Sequence, residues 1–395
     1  MKKISDDDLR IHVHHIGGIG DCGPTEAIRM LGDDVEWTVY DADEGALSKM
    51  GGTLGKNISL VNKCIGGANT KKRFNIMRGQ SASSLLTCSP EAKSYTLITG
   101  SNKAQIWGIH TQVTKSIEME LVTIDSLAGG GKIGGVDFLS IDAQGAELDI
   151  INGASKLLHD NIVGVLCETA FSEIYSGQPL FCDIQERLKN DGFRLCRIYN
   201  NQHWNTCPLP EGLMGEGFTI VGESLFLKDQ DKIIEYGGIS LLGPELLTKD
   251  IIRCLKLAAI AVVFDQLDFA LKITMALEEN KLVSLDELAE VTNIRYIKLL
   301  RDLMAAATEL KKESPALAYQ SSYSLDYEKC IDHGHPNLVY KIRRLFRILL
   351  PPLLIFLIKK LISNTRRERS RITKIYKRYG LTNLIRNQSF RLWWS

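Results

Sequence analysis

The spacing of apolar positions along this chain changes character once, near residue 240. Before that point, short apolar runs alternate with helix-length amphipathic segments. The pattern predicts strands at 10–16, 35–40, 58–64, 73–77, 118–124, 136–141, 162–168, 193–199 and 224–227, and helices at 24–31, 146–158 and 181–191. Pro24 stands in the first turn of the first helix, where its missing N–H costs nothing, and Gly192 closes the last. Strands separated by helices are the pattern of a parallel α/β sheet. After residue 240, the segments 246–264, 267–279, 285–291 and 297–310 carry apolar residues at helical spacing, with no strand-like run. Ser284 with Glu287 three residues on predicts a helix start there. The chain therefore divides into an α/β domain over 1–235, a helical region over 236–338 and a basic, apolar tail over 339–395.

The 395 residues are 44% hydrophobic and 24% charged, enough to bury a sizeable core. A formal net charge of +1 hides a partition. Residues 341–395 hold 15 Lys and Arg against one acid, Glu368, so the preceding residues hold 33 basic and 46 acidic side chains. An acidic body thus carries a strongly basic tail, which suggests a polyanionic partner. Inside the tail, the apolar run 348–358 is interrupted by Pro351 and Pro352 and bracketed by cations. It falls short of the roughly 18 residues needed to span a bilayer. A short apolar wedge between cations suits an anionic membrane surface, and Trp393 and Trp394 suit its headgroup region. Docking of the tail on the acidic body or on another copy is the competing reading; sparse aromatic interleaving argues against nucleic acid. Residues 1–10 are charged and show no secretory signal, and nine cysteines without a C-x-x-C pair argue against a disulfide framework or a zinc site. A cytoplasmic protein, peripheral at the inner membrane face, is expected.

Two places concentrate chemistry. Gly18, Gly20 and Gly23 form a G-x-G-x-x-G match between a strand and a helix, and Asp41 ends the next strand. The glycines would let a ligand approach the backbone, and the acid could accept from ribose hydroxyls. A tight β–α turn with a surface acid is the plainer reading, and the motif does not choose between a dinucleotide and S-adenosylmethionine. Downstream, an apolar strand runs into Asp142, a Gly-containing turn follows, Glu147 opens a helix, and Glu168 ends another apolar strand. A helix cap, a helix-dipole partner and a buried salt bridge are the structural readings of Asp142, Glu147 and Glu168 respectively. His14 and His15 end the first strand, as general-base candidates or as satisfied structural histidines. His203 and Trp204 fall in a predicted loop, as part of a substrate lid or as surface residues. No His, Cys, Asp or Glu spacing resembles a metal site, although the carboxylates of Asp142, Glu147 and Glu168 could together hold a divalent ion.

The run Leu139-Ser140-Ile141-Asp142-Ala143-Gln144-Gly145-Ala146-Glu147, then Asn152-Gly153-Ala154, Val165-Leu166-Cys167-Glu168, Ile174-Tyr175-Ser176-Gly177-Gln178-Pro179-Leu180-Phe181 and Leu188-Lys189-Asn190-Asp191-Gly192-Phe193, resembles the FkbM family of S-adenosylmethionine-dependent methyltransferases. The D-x-x-G-x-E core and the Y-x-G-Q-P-L-F phrase are its more specific marks. The likeness is best over 118–200 and extends more weakly back to residue 11, through the serine-rich segment 80–86. The chain departs from the family at His15-Ile16-Gly17-Gly18-Ile19, at Asp41-Ala42 where glutamate-proline is usual, and at Ser140 where a lysine is common.

The resemblance implies a Rossmann-like class I methyltransferase sheet with a C-terminal helical extension. It implies S-adenosylmethionine as cofactor and methyl transfer to a hydroxyl of a saccharide or related metabolite. Asp142 would face the methyl centre and contact the cofactor beside Gly18, Gly20, Gly23 and Asp41, with Glu147 and Glu168 as positioning or base residues. The alternative reading is a non-catalytic, methyltransferase-like binding or assembly protein at a membrane surface; a nicotinamide-dependent oxidoreductase fits the D-x-x-G-x-E block poorly.

Overall fold

The computed structural model describes residues 4–17, 23–43, 47, 57–98, 104–208, 216–234 and 247–313. Residues 1–301 form one compact unit. Residues 302–395 form a second, of which only 302–313 are described. A short helix, α1 (Asp6–Leu9), precedes β1 (Ile11–Gly17); a 3-10 segment over Gly23–Asp34 then leads to β2 (Val35–Asp41). There follow β3 (Ile58–Asn62), β4 (Cys64–Ile65), β5 (Thr70–Met77), β6 (Thr96–Ile98), β7 (Ala104–Ile106), α2 (Trp107–His110), β8 (Val113–Val122) and α3 (Ile124–Gly129). The chain continues through β9 (Phe138–Asp142), α4 (Glu147–Asn152), α5 (Ser155–Asp160), β10 (Gly164–Ala170), α6 (Phe181–Asn190), β11 (Phe193–Trp204) and β12 (Phe218–Lys228). Four helices close the described part: α7 (Lys249–Val263), α8 (Leu267–Glu279), α9 (Leu285–Val291) and α10 (Arg295–Glu313).

The main sheet has the order β11-β12-β10-β9-β1-β2-β3. Five of its strands, β1, β2, β3, β9 and β10, are parallel, and β12 runs antiparallel to both β10 and β11. The chain moves outward from β1 to β3, then returns to the other side of β1 with β9. Strand order therefore reverses between β1 and β9, and in open α/β sheets ligands bind at the carboxyl ends of such a switch point. The crossover from β3 to β9 is occupied by a three-stranded sheet, β4-β8-β5, and the pair β6–β7.

Side chains alternate across each strand. Ile16, Leu139, Ile141, Val165 and Cys167 share a core with Ile124 of α3, Ile150 and Ile151 of α4, Leu158 of α5 and Ile184 of α6. On the opposite face the Phe138 ring stacks on Phe264, just past α7, at 5.7 Å. From α7, Lys256 forms a buried ion pair with Asp137 at 2.9 Å, and Arg253 donates to the His159 carbonyl at 3.0 Å. Tyr296, on α10, donates its hydroxyl to the Leu9 carbonyl at 2.7 Å and its backbone N–H to Asp34 at 2.9 Å. The helices up to residue 301 thus close one face of the sheet and the amino ends of its strands.

Two predicted helices differ. The segment expected at 24–31 is 3-10 in winding and breaks at Gly32, whose φ is 61°. The helix expected over 146–158 is two helices. Gly153 approaches Gly66 so closely that a Cβ would meet its carbonyl oxygen at 2.4 Å, and the Asp125 carboxylate caps α5 by accepting from the Lys156 and Leu157 N–H groups. No described helix is long and apolar enough to cross a membrane.

Candidate active site

The parallel registers line up one row of residues at the carboxyl edge. Gly17 is paired with Asp142, and Glu168 with Glu223. One step past the pairs Ile16–Tyr40 and Ile141–Cys167, Asp41 lies beside Gly17 and Glu168 beside Asp142. The row Asp41, Gly17, Asp142, Glu168, Glu223 thus crosses five strands, all on the face opposite the Leu139–Ile141 core. Three of the five expected carboxylate and glycine positions that the structure describes fall in it. Gly18 and Gly20 lie outside the described residues, and Gly23 opens the 3-10 segment.

Gly17 is the glycine that the switch point requires. Its φ is +79°, and a Cβ there would lie 1.9 Å from the Asp142 carbonyl oxygen. Only a residue without a side chain fits, because the end of β9 approaches β1 this closely. Asp41 is half-buried, and its carboxylate accepts from the Asp43 N–H at 2.7 Å. Burial pushes its carboxyl above the ordinary range.

The turn after β9 is built by its own acid. Gln144 and Gly145 take φ of 51° and 96°. The buried Glu147 side chain reaches back to accept from the Ala143 N–H at 2.9 Å and the Gly145 N–H at 3.0 Å. Burial lifts its carboxyl to about 7, against the pull of these backbone donors. Glu168 is raised well above the carboxylate range by burial first and by Asp142, Glu147 and Glu223 next. The Gln144 amide nitrogen donates to Asp142 at 2.7 Å and to Glu168 at 3.3 Å. On the other side, Asn200 donates to Glu223 at 2.8 Å.

The crossover segment and the Y-x-G-Q-P phrase roof this turn. Ser84 donates to the Gln144 carbonyl at 2.6 Å. The Tyr175 hydroxyl lies 2.9 Å from Gln144 Oε1 and 3.0 Å from the Ala82 carbonyl. Gln178 fixes the phrase by accepting from the Ile174 and Tyr175 N–H groups at 3.1 and 2.6 Å. Sequence reasoning did not single out Gln144 or Tyr175 as site residues; the signal was a non-glycine residue before glycine in a turn that demands positive φ.

Both strand-end histidines are buried, 1% and 2% exposed. His14 lies on the far face, with Nδ1 2.8 Å from the Tyr40 hydroxyl and Nε2 2.8 Å from the Gly135 carbonyl. The carbonyl can only accept, so Nε2 carries the proton and Nδ1 accepts from Tyr40. Burial lowers its pKa to about 4, and the ring is a neutral structural element. His15 meets Ser140 Oγ at 2.9 Å, and Ser140 meets Thr25 at 2.8 Å. Ser140, where the resemblance led one to expect lysine, is thus joined to His15, another of the positions at which the chain departs from the family pattern. Trp204 ends β11, where a loop was expected, and is 3% exposed against Trp107.

Among the described residues, no group of three or more His, Cys, Asp or Glu side chains is arranged to hold a metal ion. A cavity of about 160 Å³ lined by Arg29, Trp37 and Asn57 sits at the amino end of β2, away from the acidic row. The acidic row is the candidate site.

The family model of the methyltransferase FkbM domain matches residues 57–195. Residues 57–195 are similar to that domain. The match supports a methyltransferase, and it contains Ser84, Asp142, Gln144, Glu147, Glu168 and Tyr175, while β1, Gly17 and β2 lie before it. No curated protein and no solved structure matches the chain.

The donor set at this row suits a sulfonium cofactor: Asp41 offers a carboxylate where a ribose would lie, and Asp142 offers a carboxylate to a cation at the switch point.

Proposed function

We propose that this protein is an S-adenosylmethionine-dependent O-methyltransferase with a Rossmann-like class I sheet, acting on a hydroxyl of a saccharide or related metabolite. The observation that carries the reading is the placement of Asp142 and Glu168 side by side at the carboxyl edge, next to Gly17 at the switch point. The cofactor supplies an electrophilic methyl group. Gly17 and Asp41 bind its nucleoside end together with Gly18, Gly20 and Gly23, and Asp142 holds the cationic end by charge. Glu168, in its ionised form, takes the proton of the acceptor hydroxyl. Glu147 keeps the turn in place by holding its N–H groups. Catalysis here is mainly positioning.

Isothermal titration of the full chain with S-adenosylmethionine and S-adenosylhomocysteine tests the reading. Binding of both is expected, and Asp142→Ala weakens the cationic ligand by about tenfold or more while leaving the neutral one within about threefold. A folded protein that binds neither would favour the non-catalytic alternative, a methyltransferase-like binding protein. For the tail, we propose peripheral attachment to an anionic membrane through residues 341–395; its charge and apolar wedge support this.

A further inference from the structure

Strand β11 runs on past the end of its apolar pattern through Asn200, Asn201, Gln202 and His203, all of them exposed, and its pairing with β12 continues to Trp204. The register there is irregular. Tyr199 stands opposite Glu223 and Gln202 opposite Val221, so Asn200 and Asn201 share the single partner Gly222 in a bulge. Asn201 fits because Gly222 has no Cβ; one there would lie 2.6 Å from Asn201 Oδ1. Asn200 takes φ 49° and donates from Nδ2 to Glu223 Oε1 at 2.8 Å. Bulges re-aim a side chain and recur beside active sites. This one is aimed at the acidic row.

Glu223 is paired directly with Glu168, so their side chains leave the sheet on one face with Cβ atoms about 5 Å apart. Asn200 extends the row by one more strand, from the residue that takes the acceptor's proton to an exposed carboxamide. Among the described residues its side chain bonds Glu223 through a single N–H, which leaves the amide oxygen and the second N–H for a ligand. Chemistry selects the ligand group. Carboxylates repel an anion, and an ammonium has no use for an N–H donor. A hydroxyl donates to a carboxylate or amide oxygen and accepts from an N–H with the same atom. We propose that Asn200, beside Glu223, is a specificity residue of the acceptor subsite: it holds the hydroxyl neighbouring the one that is methylated, so the acceptor is a vicinal diol such as a sugar ring presents. This rests on the methyltransferase reading for the transfer at Glu168, but not for the diol contact itself. An acceptor anchored at Asn200 brings only the adjacent oxygen to Glu168, which sets the position of methylation.

The test uses the full chain, with a methyl mannoside and vicinal cis-cyclohexanediol as diol probes and cyclohexanol as the single-hydroxyl control. Asn200→Gly removes the carboxamide but keeps a residue at ease at φ 49°, and Asn200→Asp keeps its size while turning the N–H donor into an acceptor. In protein labelled with ¹⁵N at asparagine side chains, the Asn200 signal is assigned by its loss in Asn200→Gly. It should shift on adding either diol and stay in place with cyclohexanol. By saturation-transfer NMR both variants should bind the diols about tenfold more weakly, the worth of one hydrogen bond, while calorimetry finds S-adenosylmethionine affinity within about threefold of wild type. An Asn200 signal that ignores the diols, an equal shift with cyclohexanol, or a loss of S-adenosylmethionine affinity as large as the loss of diol affinity overturns the proposal. Wild-type protein whose Asn200 senses the diols but which binds no S-adenosylmethionine overturns the methyltransferase reading and leaves the diol subsite standing.

Discussion

At the carboxyl edge of the sheet, Glu147 shows how one side chain can be both motif and scaffold. Its two oxygens take the backbone N–H groups of the turn that precedes it, which is why an acid follows two residues after Gly145. Burial lifts its carboxyl from 4.5 to about 7, so the folded protein keeps a proton that the unfolded chain has released across that range. Stability from this group is therefore greatest below about pH 4.5, falls as pH rises to about 7, and is level above. Glu147→Gln keeps one oxygen for both donors and removes the titration. It should match wild type near pH 4.5 and exceed it by about 1–3 kcal/mol near pH 8 in urea unfolding. A variant that is less stable at both pH values would show that the second oxygen is needed. At this scale the positions of Asp142 and Glu147 were legible in the sequence, because one ends a strand and the other opens a helix, whereas Glu168, expected to end its strand, is followed by two more strand residues, to Ala170. Gln144 was not legible, because its place depends on Tyr175 and Ser84, which are distant in the chain and reach it only in the fold.

Among the elements, α7 carries a polar task inside an apolar helix. Lys256 and Asp137 are buried together, 7% and 8% exposed, and Asp137 also accepts from the His12 N–H. A periodicity argument reads α7 as core and predicts its length well, but it does not see that one helical position bears a cation for the amino end of β9. Lys256→Met should cost about 3–5 kcal/mol, because it strands a buried carboxylate. Adding Asp137→Asn should recover much of that loss in denaturant unfolding; an unrecovered double variant would assign the cost to packing instead. The strands show the complementary limit. The long parallel strands were found by their apolar runs, whereas β6, β7 and α2 are three or four residues long and leave no period to read. The outer strand β11 runs on to Trp204 through Asn200, Asn201, Gln202 and His203, residues so polar that the strand was expected to end at 199.

For the whole molecule, the alternation of strands and helices was enough to give an α/β sheet, and the change near residue 240 located the helices that follow it. What alternation could not give was their docking: Tyr296, Arg253 and Lys256 all meet groups from the first half of the chain. The charge partition belongs to this scale too, and so does its test. In flotation with vesicles containing anionic lipid, the full chain should rise with the vesicles at low salt and a chain lacking residues 341–395 should not, with binding falling as salt screens the attraction. Equal flotation of the two would refute the membrane reading of the tail.

The hydroxyl of Tyr296 closes on the Leu9 carbonyl across 287 positions of sequence, and Asn293 reaches Asp6 across the same span. A ribosome therefore releases β1 long before the residues that cap its amino end exist. The central strand waits, first for β9 to arrive beside it and then for Tyr296 of α10 to cap its amino end. Such an order leaves one edge of β1 unpaired until residue 142 has been made, and its amino end uncapped until residue 296 has.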